Sequence, residues 1–135
     1  EKVNHRLQEK YDRIQAELPR YEALQVEDAQ IVLAAYGTTA RICKNVVAMA
    51  REKGIRVGLI RPLTVWPFPV EPFAKAAQTA ERILCVEMSM GQMVEDIQLA
   101  SGCRRPVSLC NRVGGMIPSP DQVLESIRKA AKGEN

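Results

Sequence analysis

Strands and helices alternate along most of this chain, and that alternation constrains the fold more than any other feature of the sequence. The continuous apolar run at residues 30–36 (QIVLAAY) is typical of a strand buried on both faces of a parallel sheet. Further strands are predicted at residues 55–60, 82–87 and 107–111, and the segments between them have the apolar spacing of amphipathic helices. Such alternation implies right-handed crossovers and helices on both faces of the sheet. The sequence therefore predicts an α/β domain with a mainly parallel sheet.

Capping and stop residues mark where the helices begin and end. Gly37 turns the chain after the first strand, Thr38 or Thr39 can cap the next helix, and Gly54 ends it. The segment at residues 119–122 (SPDQ) has a capping serine, a proline at the first helical position and a glutamine three residues after the cap, and it predicts a last helix to about residue 132.

Residues 1–28 are predicted to form an amphipathic helix and a linker, ahead of an α/β domain at residues 29–135. The helix, at residues 2–18, is ended by Pro19, and residues 21–26 give a weak signal for a short edge strand. One side of this helix carries a narrow apolar stripe, which either packs on its own domain or docks another one, and both interpretations stay open. The stripe consists of apolar residues three or four positions apart: Val3, Leu7, Tyr11, Ile14 and Leu18.

Composition argues against several classes of protein. A length of 135 residues suits one domain, and the net charge of +3, with three Tyr, two Phe and one Trp, favours a solvated basic face over a nucleic-acid surface. The apolar stretches are far too short for a bilayer span, and the chain opens without a basic, apolar leader. We therefore expect no membrane segment and a cytoplasmic location.

The cysteine pattern argues against a metal site. The four cysteines, Cys43, Cys85, Cys103 and Cys110, contain no C-x-x-C pair, and His5 is the only histidine. Three of the cysteines lie in apolar runs, where a free thiol behaves as a small hydrophobic group. We expect all four to be reduced and structural.

Loops at the carboxyl ends of the strands are the candidate ligand site, because ligands of parallel α/β sheets collect there. Thr38, Thr39, Arg61, Gly91 and Gln92 lie in these loops and could bind an anion through helix N-termini and positive charge. No glycine-rich phosphate motif accompanies them. The alternative is that they are ordinary turn and capping residues.

Glu87 is the one carboxylate directly at a strand end. It could act as an acid or a base, or it could be a hydrogen-bonded structural residue. His5 lies on the polar face of the first helix, so no Ser/His/Asp or Cys/His set can be assembled. We predict no catalytic residue in this chain.

The connection at residues 61–69 is a candidate interface. Leu63, Val65, Trp66 and Phe68 place four large apolar side chains in one segment that its prolines stiffen. We predict that they contact another domain or subunit. The alternative is that Trp66 and Phe68 pack back onto their own sheet.

Four segments resemble a known family. RPLTVWPFP (61–69), EMSMGQM (87–93), GGMIPSP (114–120) and AYGTTAR (35–41) resemble the α-type subunit of 2-oxoacid:ferredoxin oxidoreductases, of the branched-chain (2-oxoisovalerate) or 2-oxoglutarate type. The matching part of that subunit is a transketolase C-terminal-like domain, which implies a three-layer α/β/α sandwich of four to five strands with one antiparallel edge.

The resemblance also implies a function. The family oxidatively decarboxylates a 2-oxoacid to an acyl-CoA and passes electrons through iron–sulfur clusters to ferredoxin. Thiamine diphosphate, Mg and the clusters are held by other domains and subunits of an oligomeric enzyme, so no cofactor-binding residue is assigned here. This segment would be a structural and assembly domain, inactive alone. The alternative is a regulatory module that binds a small anion or a coenzyme at the strand-end loops.

Overall fold

A five-stranded sheet with helices on both faces makes up the described part of the chain, residues 1–133, in a computed structural model. The elements in chain order are α1 (Lys2–Glu17), β1 (Tyr21–Leu24), β2 (Ile31–Ala34), α2 (Gly37–Glu52), β3 (Val57–Pro62), α3 (Val70–Thr79), β4 (Arg82–Glu87), α4 (Gln92–Ala100), β5 (Val107–Asn111) and α5 (Pro120–Ala131).

The sheet has the strand order β1-β3-β2-β4-β5. Strands β3, β2, β4 and β5 are parallel, while β1 runs antiparallel along the outer edge of β3, with Tyr21 opposite Pro62. The predicted three-layer sandwich with a mainly parallel sheet is confirmed, and so is the weakly predicted edge strand.

Two apolar cores lie on the two faces of the sheet. Alternate residues of the fully buried strand β2 face the two cores: Leu33 packs with α2 and α5, whereas Val32 packs with α3 and α4. A strand covered on both sides needs a continuous apolar run, which is why the period-2 pattern of a one-sided strand is missing at residues 30–36. Within residues 1–133, no helix is long and apolar enough to cross a membrane.

Strand β3 begins two residues later than predicted and extends to Pro62, because pairing with β1 continues it into the following connection. The predicted threonine cap of α2 is wrong. Tyr36 is the N-cap and makes no side-chain cap hydrogen bond, and Thr39 Oγ1 instead donates to the Tyr36 carbonyl at 2.7 Å. The capping box at Ser119 is confirmed, since its Oγ accepts from the Gln122 backbone N–H at 3.2 Å.

The segment after β1 is held tightly against β3. A Cβ atom at Gly58 would come within 2.6 Å of the Gln25 carbonyl oxygen, so the close approach requires glycine. The Arg51 guanidinium pairs with Asp28 at 2.6 Å and also donates to the carbonyls of Gln25 and Val57. Part of the predicted linker is thus built into the sheet, and the domain boundary at residue 28 stays a prediction.

Candidate functional site

A basic cavity of about 390 Å³ lies where β2 and β3 end. Gly37, Thr38, Arg41 and Lys44 contribute to its wall from the first two turns of α2, and Arg61 contributes from β3. Gly37, Arg41 and Lys44 are spaced four and three residues apart, which places them on one face of the helix. Two of the predicted ligand residues, Thr38 and Arg61, are therefore brought together here, whereas Thr39 is buried and does not line the cavity.

Glu22 is the carboxylate paired with the cations of this basic cavity. Its Oε2 lies 3.1 Å from Arg61 Nη1 and 3.6 Å from Lys44 Nζ. Glu22 reaches this position because β1 pairs antiparallel with β3, opposite Arg61. Arg61 Nε is buried and has no acceptor among residues 1–133. Three cations against one carboxylate leave the cavity positively charged.

Glu87 lies in a second cluster, at the end of β4. It is 1% exposed, and its Oε2 accepts from the Met93 backbone N–H at 3.0 Å and from the Cys85 thiol at 3.8 Å. Gly91, the N-cap of α4, has no side chain that could accept a hydrogen bond from the first turn of the helix. Glu87, which lies before the helix, accepts the Met93 N–H in its place. Its other oxygen, Oε1, is buried without a partner in the described part of the chain.

The loops after β4 and β5 are hydrogen-bonded together and stand apart from the basic cavity. Asn111 Nδ2 donates to the Ser89 carbonyl at 2.6 Å, and the Arg112 N–H donates to the Glu87 carbonyl at 3.3 Å. Gly91 has a φ of +100°, which favours glycine, and a Cβ there would lie 3.3 Å from Leu109 Cδ2. Gly91 belongs to this second cluster, and the exposed Gln92 follows it as the first residue of α4.

The four cysteine thiols do not form a metal-binding cluster within residues 1–133. Cys43, Cys85 and Cys110 are buried, Cys103 is exposed, and all four are free. Burial raises the pKa of the Cys43 thiol to about 12, with a smaller contribution from Cys110. Burial also raises the pKa of Cys85, and the charge of Glu87 adds to the effect. Residues 1–133 contain no group of three or more His, Cys, Asp or Glu side chains that could hold a metal ion.

An exposed apolar surface is formed by the connection between β3 and α3. Leu63, Val65 and Trp66 are 48%, 59% and 57% exposed, and we call them the Trp66 surface. Pro62, Pro67 and Pro69 are buried and anchor the segment, while Leu63, Val65 and Trp66, between Pro62 and Pro67, stay exposed. This arrangement explains how a short connection keeps so much apolar area in solvent.

Phe68, predicted to belong to the interface, packs inward. Its ring stacks on Phe73 with 5.2 Å between the centroids, and it contacts the core on the α3–α4 face. The alternative interpretation, that the aromatic residues of this connection return to their own domain, therefore describes Phe68, whereas Trp66 lies outside the core.

A cleft of about 590 Å³ separates the end of α1 from the Trp66 surface. Gln15, Ala16 and Pro19 line it on one side, and residues 66–72 on the other. Helix α1 itself has no buried residue, and its stripe stays largely in solvent. The cleft therefore lies between the last turn of α1 and the connection that carries Trp66.

Sequence reasoning missed Arg41, Lys44 and Glu22. The spacing of Gly37, Arg41 and Lys44 along one helix face could have indicated the first two. Glu22 could not be found in this way, because its place beside Arg61 depends on antiparallel pairing between segments 39 residues apart.

Comparison with known proteins shows the family. Residues 29–123 match the model of the pyruvate:ferredoxin oxidoreductase core domain II. The chain belongs to this family. The resemblance predicted from the four sequence segments is confirmed, and the match covers all the elements from β2 to the start of α5.

Curated relatives carry the same domain within longer chains. The chain is 49% identical over 131 residues to the ketoisovalerate oxidoreductase subunit VorB of Methanothermobacter thermautotrophicus, covering 97% of this chain and 37% of that one. It is 38% identical over 101 residues to the 2-oxoglutarate synthase subunit KorA of Methanothermobacter marburgensis, covering 75% and 27%. The chain thus spans less than two fifths of the length of either relative.

Solved structures support the fold of this core domain II. The 2-oxoglutarate:ferredoxin oxidoreductase from Magnetococcus marinus superposes with a TM-score of 0.74 at 16% identity, covering 94% of this chain and 23% of that one. A split-gene transketolase superposes with a TM-score of 0.69 at 12% identity, covering 86% and 42%. At these identities the likeness shows the fold alone, and it agrees with the predicted transketolase C-terminal-like architecture.

Proposed function

We propose that this chain is a structural and assembly domain of a 2-oxoacid:ferredoxin oxidoreductase. The enzyme would oxidatively decarboxylate a 2-oxoacid to an acyl-CoA in the cytoplasm and deliver the electrons to ferredoxin. Its family membership and its identity to VorB and KorA subunits support this assignment. The observation that carries the assembly role is the Trp66 surface.

The described residues do not fit the cofactors of such an enzyme. They contain no glycine-rich diphosphate motif for thiamine diphosphate and no acidic cluster suited to its Mg²⁺. The cysteines are scattered through the fold and mostly buried, unlike the closely spaced thiolates of a cluster site. We therefore assign thiamine diphosphate, Mg²⁺ and the iron–sulfur clusters to other domains and subunits of an oligomeric enzyme.

The rest of the oxidoreductase is the proposed occupant of the Trp66 surface. More than three fifths of the VorB relative's length lies outside the region that this chain matches, so a large part of such a subunit is available to cover it. Leu63, Val65 and Trp66 are held by a proline-anchored segment, which loses little conformational entropy on docking. Large aromatic side chains at the centre of such a surface commonly dominate binding energy.

The test is Trp66→Ala in the complete oxidoreductase and in the isolated chain. Because Trp66 is more than half exposed, the free energy of unfolding of the isolated chain should fall by less than about 1 kcal/mol. Assembly of the complete enzyme should weaken by roughly 2 kcal/mol, measured from its dissociation on dilution.

Leu99→Ala is the matched control, because Leu99 is 77% exposed on α4 and lies outside the Trp66 surface. It should leave both assembly and stability unchanged. A large loss of stability with intact assembly in Trp66→Ala would show that Trp66 supports its own domain and would contradict the proposal.

A further inference from the structure

The basic cavity at the ends of β2 and β3 has an excess of positive charge that nothing in the assembly role uses. Arg41, Lys44 and Arg61 enter it from two different elements, and Glu22 is the carboxylate paired with two of them. The local balance is therefore close to two positive charges. That balance matches a dianion of the charge that a phosphate group carries near pH 7.

Some hydrogen-bond donors around the cavity also lack acceptors in the described part of the chain. Arg61 Nη1 is bonded to Glu22, but its Nε is buried without an acceptor in residues 1–133. A buried guanidinium N–H without a partner is costly. The first turn of α2 contains no acidic residue, and its N-cap makes no side-chain hydrogen bond, so its backbone N–H groups add to the donors facing an anion.

We propose that this cavity binds a phosphate group, either free or carried by a larger phosphate ester. Arginine forks match the tetrahedral oxygens of phosphate, and lysine contributes a point charge. The volume of about 390 Å³ falls in the range of small-ligand pockets, roughly 300–1,000 Å³, which leaves room for an organic group beside the phosphate. The inference does not depend on the assembly role.

Glu22 has a defined part in this site. It holds Arg61 and Lys44 in place and competes with an incoming anion for the same two cations. Its neutralisation should therefore strengthen phosphate binding, whereas loss of Arg41 or Lys44 should weaken it. Opposite effects from neighbouring substitutions distinguish a built site from a general attraction of anions to a positively charged chain.

The experiment is a titration of the full chain with inorganic phosphate at constant ionic strength. Binding is measured by calorimetry or by the backbone NMR shifts of residues 37–44. Arg41→Ala and Lys44→Ala should each weaken binding about tenfold, as expected for a lost charge-assisted hydrogen bond. Glu22→Gln should strengthen it. The control Lys75→Ala removes the same charge from an exposed position on α3 and should change nothing.

Two further probes identify the form of the ligand. ADP binding more tightly than inorganic phosphate would indicate a phosphate ester, and equal affinities would indicate free phosphate. Acetate should bind at least tenfold more weakly than either, because it has a single charge and only two oxygens. The proposal is overturned if phosphate does not bind at millimolar concentration, if acetate equals it, or if Lys75→Ala weakens binding as much as Arg41→Ala.

Discussion

The ring of Tyr11 stands edge-on against the indole of Trp66, with 5.8 Å between the centroids and an angle of 89° between the planes. The chain leaving α1 is tied to the same connection, since Leu63 N donates to the Arg20 carbonyl at 2.8 Å and Arg20 N donates to Thr64 Oγ1 at 3.0 Å. The apolar stripe of α1 and the Trp66 surface therefore belong to one face of the molecule.

We predict that Tyr11 and Trp66 act together in assembly. If one partner covers both rings, Tyr11→Ala and Trp66→Ala should be non-additive, with a coupling energy of about 0.5–1.5 kcal/mol in a double-mutant cycle on assembly. The pair Leu99→Ala and Trp66→Ala should be additive, because Leu99 lies outside the surface. Additive effects of the two aromatic residues would mean that α1 contacts a separate partner or none.

We predict that Phe68 contributes to the stability of the domain, whereas Trp66 contributes to assembly. Phe68→Ala removes the ring that stacks on Phe73 and leaves a gap against the core, so the free energy of unfolding should fall by about 2 kcal/mol. Urea unfolding of the isolated chain measures this, with Trp66→Ala as the exposed comparison from the same segment. Equal losses in the two variants would show that the inward and outward positions of these aromatics do not differ energetically.

Glu87 should stabilise the start of α4. Glu87→Leu keeps the volume but leaves the buried Met93 N–H without its acceptor, and it should cost about 1–3 kcal/mol of unfolding free energy. Glu87→Gln retains an acceptor oxygen and should cost less. Glu95→Leu, an exposed acidic residue in the first turn of the same helix, is the control. If Glu87→Leu were as stable as the natural protein, the capping role would be wrong.

The buried thiols should make stability fall in alkaline solution. In the unfolded chain a cysteine ionises near its ordinary pKa of about 8.5, whereas burial raises the pKa of Cys43 to about 12 and also raises that of Cys85. The folded state then holds more protons than the unfolded state, so the unfolding free energy decreases as pH rises above about 8.5. Each thiol contributes up to about 1.4 kcal/mol per pH unit.

Urea unfolding between pH 8 and 10 checks this decline. Cys43→Ala should show a shallower slope than the natural protein, whatever its stability at pH 8. Cys103→Ala should keep the full slope, because Cys103 is exposed. In the folded chain a thiol reagent should modify Cys103 quickly and the other three slowly. An unchanged slope in Cys43→Ala would contradict the assigned cause.

The parts of the fold that were predictable are those with local signals. Strands β4 and β5 have the predicted bounds, because each apolar run is closed on both sides by charged, proline or polar residues. The capping box at Ser119 is equally local. The late start of β3 and the Tyr36 N-cap depend on neighbouring strands and on where the backbone leaves the sheet, which no nearby residue reveals.

The candidate site divides in the same way. Arg61 and Thr38 were found because strand ends can be located from the sequence. The sequence does not reveal that Glu87 and Gly91 belong to a separate cluster, because this depends on how the loops fold over the edge of the sheet. The partner of Arg61, Glu22, is supplied by an edge strand whose own signal is weak.

Strand β1 precedes the family match at residue 29 yet completes the edge of the sheet. An exchange of this domain between enzymes by recombination would therefore have to begin before Tyr21. A junction at residue 29 would strip β1 from β3 and leave a bare strand edge open to pairing with other chains. It would also remove Asp28, which pairs with Arg51, and Glu22, which pairs with Arg61. The structural unit is thus longer at its start than the region that the family model matches.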